Sequence, residues 1–242
     1  MKKIQKLILS VYFHLRVGVG VVGILFPFLL AVGGAIYSVP LAGSMSAYYH
    51  ATPACPGTGT SSSLTETFSP CLPPGQGPMR NWFVGILFFI GAAMYFIKGF
   101  STIEDWALNI AGVMAPCVAL FPMPWPSGSA GSPTHYICAI AFFLCISFTC
   151  IFCADTSLKY MPPIPNRQRI ITIYKTIYRV LAAVMILAPL CVWLFTRNSE
   201  HGTFWLEAAG IAAFGCYWLV KTTELKKSDL ERRILLENLS LN

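Results

Sequence analysis

The stretch 135–154, HYICAIAFFLCISFTCIFCA, contains no Asp, Glu, Lys or Arg. A helix of that length rises ~30 Å, the thickness of a bilayer's hydrocarbon core. Five more stretches read the same way, with almost no charge: 17–43, 80–98, 106–123, 177–196 and 204–221. Within 135–154, Ala139–Phe148 does not alternate apolar and polar residues as a barrel strand would. Lipid offers no partners to backbone N–H and C=O groups, so helix is the state that satisfies them. Charged residues make up 11% of the chain and mean hydropathy is +0.62, which leaves too little polar surface for a water-soluble protein. The expected fold class is all-α, a polytopic membrane protein with a six-transmembrane-helix bundle. It forms a single membrane domain over 1–242 with an outside loop at 44–79.

Both ends read as short interfacial helices. Met1–Arg16 is basic and amphipathic, with Ile4, Leu7, Ile8 and Tyr12 at helical spacing. Near the C-terminus, Ser228-Asp229-Leu230-Glu231 has the capping-box pattern ahead of Ile234, Leu235 and Leu239. Pro27, Pro116 and Pro189 fall inside spans and predict kinks.

Basic residues set the orientation. Lys2, Lys3, Lys6 and Arg16 precede the first span, and Lys98 follows the second. Lys159, Arg167, Arg169, Lys175 and Arg179 sit between or just inside the fourth and fifth. Lys221, Lys226, Lys227, Arg232 and Arg233 follow the sixth. Six-span threading puts all of these on one side and leaves Arg80 and Arg197 on the other. By the positive-inside rule both termini are cytoplasmic. The net charge of +7 then reads as topology and attraction to anionic membrane lipids, with no basic patch for nucleic acid. The first apolar run is too long for a cleaved signal and carries Gly18, Gly20 and Gly23, which suit close helix packing.

Cysteines divide by depth. Cys117, Cys138, Cys145, Cys191 and Cys216 lie in spans as small apolar fillers, and Cys150 and Cys153 form a C-x-x-C at the end of the fourth. Cys55 and Cys71 share the long outside loop, where a disulfide would limit its disorder.

The polar side chains that carry chemistry collect at the outer end. Glu207 lies about one turn inside the sixth span, where a carboxylate needs a partner or a polar site. Arg80 is the candidate ion-pair partner. Ser46-Ala47-Tyr48-Tyr49-His50 puts a hydroxyl and an imidazole on one helix face, and His135 opens the fourth span. His50, His135 and Glu207 form a possible zinc ligand set with an open position for an attacking water. His201, in a short loop before Gly202, is a weaker candidate. No phosphate-binding Gly loop is present.

Ser46–His50 resembles the serine and histidine pattern of the alkaline ceramidase, adiponectin-receptor and Per1 group of zinc-dependent membrane hydrolases. That group has seven spans and a paired H-x-x-x-H on its last helix, where this chain has six spans and Glu207. Ser44–His50, Met79–Gly85, Ala119–Pro122 and Phe204–Lys221 are similar to a bacterial multi-pass family with no established activity. The resemblance implies a bacterial inner (cytoplasmic) membrane. The functional expectation is an outward-facing pocket acting on a lipid or small amphiphile, as a metal-assisted hydrolase of a lipid amide or ester. Ser46 and Arg80 are its catalytic candidates, Arg80 holding an anionic headgroup. The rival is a non-catalytic lipid-binding or transport protein with a structural Arg80–Glu207 pair.

Overall fold

The computed structural model describes residues 2–53, 72–73, 75–126, 129, 131–195 and 200–237. Its elements are α1 (Lys2–Ile36), a 3-10 turn (Ser46–Tyr49), α2 (Pro78–Phe96), α3 (Thr102–Leu120), α4 (Thr134–Phe148), a π-helical segment (Thr149–Cys153), α5 (Ala154–Leu158), α6 (Arg167–Phe195), α7 (Gly202–Ser228) and α8 (Leu230–Glu237). α4, the π segment and α5 run on as one rod, Thr134–Leu158. With α1, α2, α3, α6 and α7 it makes six helices long and apolar enough to cross a membrane. No strand occurs among the described residues.

Local chemistry sets the helix ends. α1 stops at Ile36, earlier than hydropathy suggests, because Ser38 turns left-handed (φ 57°) and Pro40 follows. α2 opens on Pro78, whose missing N–H costs nothing in a first turn. At the start of α3, Ser101 accepts the Glu104 N–H at 3.2 Å, and Glu104 Oε2 reaches back to the Phe100 N–H at 2.8 Å.

Each rod packs against its neighbours in sequence, and α7 closes on α1, so the six form a ring. Two contacts are close enough to need glycine. A Cβ on Gly215 of α7 would sit 2.6 Å from the Gly20 carbonyl of α1. A Cβ on Gly112 of α3 would sit 2.9 Å from the Gly91 carbonyl of α2. At the end that holds the N-terminus, buried Tyr178, Phe214, Tyr217 and Trp218 fill the ring. Large apolar side chains such as Leu25, Phe28, Val32, Ile110, Val113 and Leu144 stand exposed on the outside. A lipid-facing surface requires that arrangement.

Some local expectations change. The basic segment 2–16 is no separate element: α1 runs through it unbroken, and Arg16 is buried against Glu231 of α8 at 2.6 Å. α6 starts at Arg167 and α7 continues to Ser228, because amphipathic turns extend both helices past their apolar runs. Asp229 breaks the chain with φ 50° before α8. Ser228 donates back to the Leu225 carbonyl at 3.2 Å, while Glu231 is taken by Arg16, so the expected capping box is put to other uses. Pro27, Pro116 and Pro189 do lie inside α1, α3 and α6. Cys55, Cys71 and Arg197 fall outside the described residues; the seven described cysteines are free thiols.

Candidate functional site

All six rods contribute to a cavity of about 960 Å³ at the end of the ring opposite the N-terminus. Its walls are mostly apolar, with Phe26, Phe83, Leu87, Phe142, Phe143 and Ile211 among them. Ser44, Ser46, His135, Glu200, His201 and Glu207 give it a polar lining.

His135 is the best-defined of these. Its Nδ1 lies 3.0 Å from both the Val118 and the Phe121 carbonyls, at the end of α3. Carbonyls only accept, so Nδ1 carries the hydrogen. These carbonyls are available because α3 stops just before Pro122, leaving its last C=O groups without helical partners. In the neutral ring Nε2 is then an acceptor, and Ser46 Oγ donates to it at 3.0 Å. The sequence separation of 89 residues hides this contact from any motif.

Glu207 has a different partner from the one expected. Its carboxylate accepts the Met45 N–H at 2.5 Å and the Ser46 N–H as well. From α7 it therefore caps the 3-10 turn, supplying acceptors for N–H groups that the turn cannot use. A bond from the Phe204 N–H to the Gly43 carbonyl, 2.9 Å, holds the same loop against the start of α7.

The structure does not form the Arg80–Glu207 pair. Arg80 is exposed on α2, donates to the Gly75 carbonyl at 3.2 Å, and lies 5.1 Å from the Tyr49 ring centroid. It does not line the cavity, so a headgroup role for it inside the cavity finds no support. His50 also turns away. Its Nε2 donates to the Met123 carbonyl at 2.9 Å and its ring stacks on Trp125, centroids 5.1 Å apart. Burial holds the imidazole below its ordinary range, and the Met123 carbonyl offsets part of that.

These contacts decide the fit to zinc. The nitrogens of His135 are committed to carbonyls and to Ser46, His50 Nε2 to Met123, and the Glu207 carboxylate to backbone N–H groups. No group of three or more His, Cys, Asp or Glu that could hold a metal ion exists among the described residues. The expected ligand set does not fit the ion as placed. What the arrangement offers is a serine hydroxyl on a correctly tautomerised imidazole at the wall of an apolar cavity. His201 adds a buried Nδ1 with no protein partner in the described residues. No family model, curated protein or solved structure matches this chain.

Proposed function

We propose that this is a bacterial inner-membrane protein with both termini cytoplasmic, whose outer cavity binds a lipid or small amphiphile and hydrolyses an ester or amide of it. The apolar part lies between Phe26, Phe83 and Phe142, with the polar group toward Ser44, His135 and Glu207. The observation that carries the chemistry is the 3.0 Å contact from Ser46 Oγ to His135 Nε2 at the cavity wall. Ser46 Oγ attacks the carbonyl carbon while Nε2 takes the hydroxyl proton. The leaving alcohol or amine departs with that proton, and an acyl group remains on Ser46. Water, deprotonated by the same nitrogen, releases the acid and restores Ser46. The Val118 and Phe121 carbonyls hold the ring in the required tautomer, as the third group of a triad does.

An alkyl fluorophosphonate tests this reading in protein reconstituted in nanodiscs. Expected is one adduct, mapped by mass spectrometry to Ser46, absent in Ser46→Ala and slowed ~10²–10⁴-fold in His135→Ala, the usual contribution of a general base. One observation favours a non-catalytic binder: the backbone N–H groups nearest Ser46, which could stabilise an oxyanion, are already taken by Glu207. No adduct, with saturable photocrosslinking of a diazirine fatty acid in wild type and Ser46→Ala alike, would establish the binder.

A further inference from the structure

A second polar cluster lies at the opposite end of the ring, and the proposed hydrolysis does not use it. Lys221 of α7 is 3% exposed, and its Nζ donates to Ser157 Oγ of α5 at 2.5 Å and to Glu224 Oε2 at 3.1 Å. Tyr178 of α6 donates to the same Oε2 at 2.6 Å. Glu224 is fully buried, yet its Oε1 has no partner among the described residues. Glu104 of α3, 3% exposed, faces the same cluster and interacts electrostatically with both Lys221 and Glu224.

Counting the charges leaves a remainder. Lys221 sits between a carboxylate and a hydroxyl, with the Phe100 and Tyr178 rings 5.6 and 5.7 Å from its Nζ. Each of those neighbours attracts a cation. It can neutralise only one of the two buried carboxylates. The other titratable groups facing the cluster are two thiols and a phenol, none of them a source of positive charge: Cys150 and Cys153 of the π segment and Tyr217 of α7. Asp105 adds no cation, being paired with exposed Lys98 at 3.4 Å. One negative charge is therefore left uncompensated in a low-dielectric interior, a situation proteins resolve by binding a cation or a proton.

We infer that Glu104 and Glu224 together form a proton-binding site beside Lys221, the two carboxyls taking up one exchangeable proton. A metal cation fits the surroundings poorly, because Tyr178, Lys221 and the Phe100 N–H all turn donor hydrogens toward these carboxylates. A proton needs no room and no ring of oxygens. Uptake of a proton by the pair removes the uncompensated charge. The site joins α3, α5, α6 and α7 at one end, so loss of the proton places a bare charge at the seam of four helices.

Infrared difference spectroscopy of the full chain in nanodiscs tests this, on a Glu207→Gln background that removes the outer carboxyl. Expected at neutral pH is the C=O stretch of a buried carboxylic acid, which disappears on strong alkalinisation. Glu104→Gln or Glu224→Gln should abolish or shift that band, with folding checked by circular dichroism and gel filtration. Should either variant fail to fold, Tyr178→Phe keeps both carboxyls, removes one donor and should move the band. Three results would each overturn the site: no acid band at any pH, a band unmoved in every variant, or a band seen only when choline replaces sodium.

Discussion

Glu207 and Arg80 lie at the same end of the bundle and do not meet. Glu207 is held by the Met45 and Ser46 N–H groups, Arg80 by the Gly75 carbonyl and the Tyr49 ring. Glu207→Gln should cost ~1.5–3 kcal/mol, the range for hydrogen bonds to a charged group. Exposed Arg80→Met should cost ~0.5 kcal/mol or less. Their effects on thermal unfolding in detergent should add, and recovery in the double variant would contradict these contacts. The buried end behaves differently. Lys221→Met strands Glu224 and should cost ~3–5 kcal/mol, part of which Lys221→Met/Glu224→Leu restores. His50 supplies the pH test. Its proton affinity in the fold lies below the unfolded value of about 6.5, so between the two the unfolded chain binds the extra proton. Stability from this residue is complete above that window and falls as pH drops through it. Wild type should therefore lose more melting temperature than His50→Gln between about pH 7 and 5, and equal slopes would remove this role. The sequence shows the depth of these side chains through the hydropathy around them. It cannot show their partners: Glu207 bonds to N–H groups that are brought to it only once the 3-10 turn has formed, and Ser46 meets His135 across 89 residues of chain.

Helices and their number were legible because each apolar run must bury its backbone polar groups within itself. Their ends were less so. Hydropathy closes the sixth span near Lys221, and that residue then reads as one more cytoplasmic charge. In the fold α7 continues to Ser228 and turns Lys221 and Glu224 into the ring. Amphipathic turns of this kind face protein on one side and water on the other, and average hydropathy cannot separate them from a loop. Close packing was half visible. Gly20 and Gly23 stood out in α1, but their counterpart Gly215 and the pair Gly91 and Gly112 did not. Gly112→Ala should destabilise by ~1–3 kcal/mol, because its new methyl would meet Gly91 and Tyr95 backbone that cannot yield. Gly85→Ala, with nothing within 4 Å of the new Cβ, should be neutral or stabilising by up to ~1 kcal/mol. Thermal unfolding of the two variants side by side checks the contrast. A loss at Gly85 as large as at Gly112 would contradict the α2–α3 contact.

At the scale of the whole molecule, ring closure of α7 on α1 encloses the cavity while aromatic side chains fill the end that holds the N-terminus. The six rods are not equal in length. α2 and α3 have 19 residues each, ~28 Å at helical rise, whereas α7 has 27 and α1 has 35. The α2–α3 hairpin is thus the short side of the ring, and it carries Arg80 at one end with Lys98 and Glu104 at the other. A bilayer thicker than this hairpin would draw those groups into hydrocarbon unless the lipids thin beside it, at a cost of fractions of a kcal/mol per Å. The longer rods can accommodate by tilting; the hairpin has no length to spare. Melting temperature in nanodiscs should therefore peak in lipids with shorter acyl chains and decline steadily as chains lengthen. The protein would then favour thin regions of its membrane, where the hairpin matches the local thickness.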